Sequence, residues 1–160
     1  MNRLEYNNCV KQYSSHLHGF CYNLCKDSES AKDIVQDSFM KLWLYRDKVE
    51  TSSAKSWLFQ CAFREYLNKK RKENYDTNYK NSIEINLQYN TYNGAKEALN
   101  YYLQTLPENY KVPIMLKDIE GYSYEEISKI TDMTTEQVKI NIYRGRVKLK
   151  QMIKKKENII

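Results

Sequence analysis

Residues 123–150 read SYEEISKITDMTTEQVKINIYRGRVKLK and contain two helix-start signals separated by one short turn. Each signal is a capping box, in which a Ser or Thr hydroxyl accepts from a free backbone N–H and a later Glu or Gln reaches back. The boxes span residues 123–126 and 134–137, and they predict a helix on either side of a turn at Asp132 and Met133. This arrangement is the plan of a helix-turn-helix, although other tight helix pairs have the same composition.

The second of these helices has two contrasting faces when it is wound at about 100° per residue. The stripe expected to be buried consists of Val138, Ile142, Gly145, Leu149 and Ile153. The opposite face carries Glu136, Ile140, Tyr143, Arg144 and Val147. Apolar and aromatic side chains among cations on an exposed face indicate a surface that meets something other than water.

The composition favours a helical, globular protein of one or two small domains. The chain has 160 residues, of which 41% are hydrophobic and 29% charged, with only four Gly and two Pro. No apolar run approaches the ~20 residues that span a bilayer, and the first residues, MNRLEYNNCV, lack the apolar core of a secretion signal. We therefore expect a cytoplasmic protein that does not insert into a membrane.

The positive charge is concentrated in two places. The net charge is +6, but residues 64–72 carry an excess of four cations and residues 134–156 an excess of seven, so the remainder is net acidic. Two basic helices on an otherwise acidic chain suggest a polyanion bound at two sites. The charge pattern fits equally well with two solvated helix ends, where cations are favoured in any case.

Apolar periodicity divides the chain into two helical modules. Three helices are predicted at residues 4–25, 31–48 and 57–73, with Trp57 and Leu58 in the core. The second has an apolar stripe, flanked by Ile34 and Trp43, of Ala31, Val35, Phe39 and Leu42. We expect an all-α fold with an N-terminal bundle at 1–73, a flexible linker at 74–94 and a C-terminal helix-turn-helix domain at 95–160.

The C-terminal module has one further predicted helix start. Thr105 and Glu108 have the spacing of a capping box, with Pro107 in the first turn. Pro113 lies far enough into that helix to predict a kink, because proline removes a backbone donor and crowds the preceding turn.

Metal and catalytic sites are not indicated. His16, His18, Cys21 and Cys25 lie on one helix, but no Cys-x2-Cys turn accompanies them, and Cys is often a buried apolar residue. The sequence contains no phosphate-binding glycine loop and no triad-like arrangement of side chains. We therefore expect a non-enzymatic protein without a cofactor or metal.

Three segments resemble one known family, the extracytoplasmic-function (ECF) group of sigma-70 factors, which are promoter-recognition subunits of bacterial RNA polymerase. AKDIVQDSFMKLW, at residues 31–43, is similar to the helix that binds core polymerase in that family. SWLFQCAFREYLNKKRK, at residues 56–72, is similar to the minus-10 and melting helix. Residues 106–153 resemble the minus-35 domain. The order and spacing of the segments extend the resemblance over nearly the whole chain.

The resemblance implies three sets of site residues. The polymerase-binding set is Asp33, Gln36, Asp37, Met40 and Lys41. The minus-10 DNA set is Gln60, Phe63, Arg64, Asn68, Lys69, Lys70, Arg71 and Lys72, together with the preceding loop at residues 47–56. The minus-35 DNA set is Thr134, Thr135, Gln137, Lys139, Ile140, Tyr143, Arg144, Arg146 and Lys148.

Individual roles follow from side-chain chemistry. Thr134 and Thr135 are expected to bind phosphate at a helix N-terminus, and Arg144 to pair with guanine. Ile140 suits a thymine methyl group. The family often has Asn where this chain has Arg64, so the resemblance does not define the base captured there.

The resemblance implies a sigma factor that binds core RNA polymerase and promoter DNA, with an anti-sigma factor or another recruiting protein as a further partner. One alternative is a helix-turn-helix regulator that does not bind core polymerase and uses residues 1–72 for dimerisation. A third is an adaptor whose basic helices bind acidic proteins or RNA. The segment at residues 31–43, followed by a basic helix, distinguishes the first reading, because a simple repressor does not need it.

Overall fold

The computed structural model describes residues 1–76 and 94–157, with side chains at residues 1–74 and 98–155. Within these ranges the chain is helical and contains no strand, as predicted. The linker expected at residues 74–94 lies mainly outside the described residues. Its predicted ends are each displaced, because the preceding helix continues to Asp76 and the next begins at Gly94.

Three helices form the N-terminal module. They are α1 (Arg3–Cys25), α2 (Ser28–Leu44) and α3 (Ala54–Asp76), and a short 3-10 turn at Thr51–Ser53 precedes α3. A capping box of Asn2 and Glu5 starts α1, and Asp27 accepts from the Ser30 N–H to start α2. Helices α2 and α3 each begin three residues earlier than predicted.

The core of this module is built from one face of each helix. Its fully buried members include Leu17, Ile34, Leu42, Leu58 and Phe59. The buried face of α2 is rotated slightly from the predicted stripe, because Ile34 is fully buried whereas Val35 is only partly buried. Trp57, which was expected in the core, is also only half-buried.

Four helices form the C-terminal module. They are α4 (Gly94–Thr105), α5 (Glu108–Ile114), α6 (Tyr124–Thr131) and α7 (Thr135–Glu157). A π-helical turn at Met115–Ile119 follows α5 directly. Pro113 lies inside α5, just before this wider turn, where a local irregularity was expected.

Two of the three predicted capping boxes in this module are confirmed. At the start of α6, the side chains of Ser123 and Glu126 each accept a hydrogen bond from the other residue's backbone N–H. At the start of α7, the Thr134 N–H donates to Gln137 at 2.9 Å, and the Gln137 N–H donates to the Thr134 hydroxyl at 3.1 Å. The box at Thr105 was wrong. Its hydroxyl donates to the Tyr102 carbonyl at the end of α4, and Pro107 begins α5 without a side-chain cap.

The turn between α6 and α7 is closed by Asp132, whose φ of 59° places it in the left-handed region that Asp tolerates better than most residues. The predicted stripe of α7 is buried at Val138, Ile142, Gly145 and Leu149, whereas Ile153 is 38% exposed, near the end of the helix. These features confirm the helix-turn-helix plan.

Gly145 allows α5 and α7 to approach closely. A Cβ atom at this position would lie 2.5 Å from Cδ1 of Ile114 and 3.0 Å from Cβ of Tyr110. The stripe of α7 therefore needs its smallest residue at that point.

Within the described ranges, no helix is both long enough and apolar enough to cross a membrane.

Candidate nucleic-acid and polymerase interfaces

The outer face of α7 is exposed and mixes apolar groups with cations, as predicted. Tyr143 is 70% exposed, Ile140 47% and Val147 39%, and Arg144 lies beside them without an ion pair in the described part of the chain. Helix α7 begins at the turn of the helix-turn-helix, so its first residues and this face project away from the core. The arrangement fits a helix that enters the major groove.

The N-terminus of α7 is held by its own cap. Thr134 and Gln137, both predicted to contact minus-35 DNA, bond to each other's backbone N–H. Thr135 lies next to them and is partly exposed. The hydroxyl of Thr134 therefore already fixes one free donor, and the remaining donors of this turn stay available to an anion.

Three cations of the predicted minus-35 set are held against the module. Arg146 donates to Oδ1 of Asp118 at 2.6 Å. The ammonium group of Lys139 lies 5.5 Å from the ring centre of Tyr124. The ammonium group of Lys148 lies 5.4 Å from the ring centre of Tyr110. Each stays exposed, so these contacts orient the charges and leave them accessible.

Six of the eight predicted minus-10 residues of α3 fall into two groups. Asn68, Arg71 and Lys72 are exposed toward the end of the helix. Gln60, Arg64 and Lys70 instead contact the C-terminal module. Phe63 is only 6% exposed and packs near Tyr66, so in this arrangement it offers no face to DNA.

A cavity of about 570 Å³ lies beside the loop that precedes α3. Tyr45 and Trp57 form two of its walls, with ring centres 6.3 Å apart, and Lys48, Glu50 and Ser53 lie between them. The sequence pointed to this loop but missed Tyr45, which lies before it, and assigned Trp57 to the core. An aromatic residue on each side of a polar loop was the available signal.

The predicted polymerase-binding residues lie together on α2. Asp33, Gln36 and Met40 are exposed, while Asp37 and Lys41 are partly buried. Lys41 donates to Glu65 of α3, and this hydrogen bond raises the pKa of the lysine. Asp33 lies 3.9 Å from the ammonium group of Lys69, which draws that predicted minus-10 cation toward α2.

An apolar groove of about 660 Å³ adjoins this face and was not predicted. It runs between α1 and α2, and its apolar lining is Tyr6, Val10, Val35, Phe39, Met40 and Trp43. Met40 is 56% exposed and belongs to both the groove and the polar face. The face of α2 is therefore a polar surface with an apolar groove along one edge, which suits a protein partner.

The histidines and cysteines of α1 occupy different environments. Cys21 is fully buried, and burial raises its pKa to about 12, which disfavours the thiolate that a metal requires. His16 lies on the surface, 3.6 Å from Glu120. In the described part of the chain, no three candidate ligands lie together in a way that could hold a metal ion.

Both modules match known protein families. Residues 9–75 match the Sigma-70 region 2 model and residues 96–149 match the Sigma-70 region 4 model. The ECF RNA polymerase sigma factor SigM of Bacillus subtilis is 26% identical over 89% of this chain and 91% of its own length. The ECF RNA polymerase sigma-E factor of Haemophilus influenzae is also 26% identical, over 95% of this chain and 89% of its own.

A solved structure supports the same assignment. The sigma factor RpoE of Bartonella quintana, in complex with the anti-sigma factor NepR, superimposes with a TM-score of 0.76 over 93% of this chain and 96% of its own, at 26% identity. Two family models in the predicted order, and relatives that match along nearly their full length, leave one assignment. The chain belongs to the ECF group of the sigma-70 family of RNA polymerase sigma factors.

Proposed function

We propose that this protein is a transcription initiation factor that binds core RNA polymerase and directs it to promoters. The observation that carries the proposal is the presence, in one chain, of an exposed apolar and cationic face on α7 and a cationic α3 that follows an exposed polar face on α2. A helix-turn-helix regulator that works without polymerase accounts for α7 alone. It leaves unexplained why residues 9–75 match Sigma-70 region 2.

Helix α7 reads the minus-35 element in this proposal. Arg144 can donate two hydrogen bonds to guanine O6 and N7, and Ile140 can contact a thymine methyl group. Arg146 and Lys148 are held at the edges of the helix and suit phosphates, which position the module without reading sequence. Base-reading and phosphate-binding residues thus occupy different parts of one face.

The N-terminal module captures the minus-10 element. The cavity between Tyr45 and Trp57 has two aromatic walls on which an unstacked base can be held. Asn68, Arg71 and Lys72 lie further along α3, where the two cations can neutralise the phosphates of the same strand. Holding one separated base in this way favours opening of the duplex.

Core polymerase binds the α2 face. Asp33, Gln36 and Asp37 provide polar contacts, while Met40 and the adjoining groove can receive apolar side chains of the partner. Polymerase then holds the two DNA-binding modules at a fixed separation. Two weak contacts become one strong and specific interaction because the second forms at high effective concentration.

Members of this family are initiation factors without catalytic activity of their own, and we assign RNA synthesis entirely to the polymerase. The proposed site of action is the cytoplasm, where that polymerase works. Because the solved neighbour was crystallised with an anti-sigma factor, a protein of that class is the regulatory partner that we propose.

The proposal is tested by adding the purified chain to sigma-free core polymerase on fragmented genomic DNA and mapping the transcript 5′ ends. We expect starts to concentrate downstream of one recurring pair of elements. Replacing Asp33 and Asp37 by Lys should weaken co-purification with core and reduce these starts. Start positions identical to those of core alone would refute the proposal.

A further inference from the structure

A small cavity lies between α1 and the π-helical turn that follows α5. Its volume is about 250 Å³. Helix α1 contributes Ser15, Phe20 and Asn23 to its lining, and the turn with the residue after it contributes Met115, Ile119 and Glu120. None of the residues that line the cavity belongs to the predicted polymerase-binding, minus-10 or minus-35 sets. The cavity therefore lies outside the surfaces on which the proposed function depends.

Much of the cavity wall is apolar. Phe20 and Met115 are buried, and Ile119 forms a further apolar wall that is partly open to solvent. Gly19 leaves space in the lining, because a Cβ atom at this position would meet nothing within 4 Å. The volume is below the ~300–1,000 Å³ of pockets for drug-sized ligands, and about eight times the ~30 Å³ of one liquid water molecule. The cavity therefore suits a small organic molecule.

Glu120 places a buried carboxylate in this cavity. Its side chain is 6% exposed, and its Oε2 atom accepts no hydrogen bond from the described part of the chain. The ammonium group of Lys55 lies 3.7 Å from Oε2 and Nδ1 of His16 lies 3.6 Å from it, both beyond hydrogen-bond distance. A buried acceptor without a donor costs free energy, so Oε2 is an open position for a donor.

Neither basic neighbour fully compensates the charge of Glu120. The ammonium group of Lys55 lies 5.1 Å from the ring centre of Tyr122 and donates to the backbone carbonyl of Glu120 at 3.5 Å. The side chain of His16 is 61% exposed, so water screens its attraction for the carboxylate. Burial raises the pKa of Glu120, although Lys55 and His16 act in the opposite direction. The carboxylate therefore lacks positive charge beside it.

The backbone of the π-helical turn positions Glu120. The N–H of Glu120 donates to the carbonyl of Met115, five residues earlier, at 3.1 Å. This wider repeat brings Met115 and Glu120, one apolar and one anionic, to the same cavity. Single π-turns next to α-helices occur frequently at functional sites. The local structure thus agrees with a binding role for the carboxylate.

We propose that this cavity binds a small organic cation, with its protonated amine on Oε2 of Glu120 and its apolar body against Phe20 and Met115. Ser15 and Asn23, also in the lining, provide side-chain oxygens for the remaining N–H groups of the amine. The cavity has walls from both modules, so the bound cation stabilises the folded chain. The site does not depend on the proposed function, because none of its residues contacts DNA or polymerase in that proposal.

Three probes of similar size separate a cation site from its alternatives. They are 2-phenylethylamine, 2-phenylethanol and phenylacetate, which carry a positive, a neutral and a negative group on the same ring. Isothermal titration calorimetry with the full chain at about pH 8, where an alkylamine is protonated, gives the affinity of each probe. We expect the amine to bind at least about tenfold more tightly than the alcohol, the effect of one hydrogen bond between charged groups.

Glu120→Gln keeps the shape of the side chain and removes its charge. The advantage of the amine over the alcohol should then disappear, while the affinity for the alcohol changes little. The control is Glu125→Gln, which removes one carboxylate at an exposed position of α6 and should keep the advantage. Gly19→Leu places a larger side chain in the lining and should weaken binding of the amine about tenfold. It replaces Glu120→Gln if that variant does not fold.

Equal affinity of the wild-type chain for the amine and the alcohol would overturn the proposal, because the cavity would then be only an apolar space. Tighter binding of phenylacetate would also overturn it and would assign the site to Lys55 and His16. No saturable binding of the amine at concentrations up to ~10 mM would mean that water alone fills the cavity, against the proposal. An advantage of the amine that survives Glu120→Gln would place its site elsewhere on the chain and refute the assignment.

Discussion

Arg144 and Arg146 lie two positions apart on α7 and have different surroundings. Arg146 is bound to Asp118, whereas Arg144 makes no ion pair in the described part of the chain. We predict that Arg144→Ala reduces discrimination for the minus-35 element by about 1–3 kcal/mol, the contribution of one bidentate base contact. Competition binding of holoenzyme to intact and scrambled minus-35 DNA measures this effect.

Arg146→Ala is the control for that experiment. Loss of a phosphate contact should weaken binding to both DNAs equally and lower the salt dependence of binding. If the two substitutions had the same effect on the ratio of the two affinities, the assignment of Arg144 to base recognition would be wrong.

Lys111 gives the chain a specific pH dependence. Burial, followed by the charge of Lys26, lowers its pKa from 10.5 to about 8, while Glu108 opposes the shift and Lys70 adds to it. Between these two pKa values the unfolded chain binds the extra proton, so this residue's contribution to the free energy of unfolding rises with pH. Below about pH 8 that contribution is constant and unfavourable.

We therefore predict that wild type gains stability relative to Lys111→Met as pH rises from about 8 to 10.5, the window set by the folded and unfolded pKa values. Urea unfolding of both proteins at several pH values measures the difference. Lys150→Met, at an exposed site on α7, should show no such dependence. The prediction would be contradicted if the free energies of unfolding of wild type and Lys111→Met differed by the same amount at every pH.

At the scale of single residues, the sequence located the exposed face of α7 correctly. Charge and periodicity both mark Ile140, Tyr143 and Arg144, because the helix repeat fixes which residues share a face. Phe63 was placed in the DNA-binding set although it is buried. A helix packed on two sides has no single apolar stripe, so periodicity could not decide which side Phe63 faces.

At the scale of elements, Gly145 determines how closely α5 and α7 pack. Replacing it with Ala gains about 0.8–1.0 kcal/mol of helix propensity but loses about 1–3 kcal/mol to overpacking against Ile114 and Tyr110. We predict that Gly145→Ala is destabilising overall. Thermal unfolding followed by circular dichroism is the measurement.

Gly19→Ala is the matched control. Gly19 lies inside α1, is exposed, and has nothing within 4 Å of an added Cβ atom. Helix propensity then acts alone and should stabilise the chain by about 0.8–1.0 kcal/mol. The packing argument fails if both substitutions stabilise the protein to the same extent.

Element boundaries were predictable where a side chain makes the cap. Ser123 and Thr134 are such cases, and both helices start where their capping boxes indicate. Helix α5 begins directly after Pro107 and has no side-chain cap, so the Thr105 box gave the wrong start. Side-chain caps leave a sequence signal, whereas starts set by backbone shape and tertiary packing leave little.

At the scale of the whole molecule, the sequence predicted two helical modules but not how they contact each other. The contact between the modules depends partly on backbone carbonyls, those of Lys129 and Asn23, which any residue would provide. It also depends on carboxylates such as Glu108, which is far in sequence from its partners. Pairings of this kind have no periodicity and leave no local motif.

The central claim is that two modules of one chain read two separate elements of the same duplex while polymerase holds them apart. The most direct test lengthens the spacer between the two elements of a mapped promoter by about five base pairs, half a helical turn. The elements then face opposite sides of the duplex. The account predicts that initiation by the holoenzyme falls to the level of a promoter without its minus-35 element, and initiation that is unchanged by the insertion would contradict it.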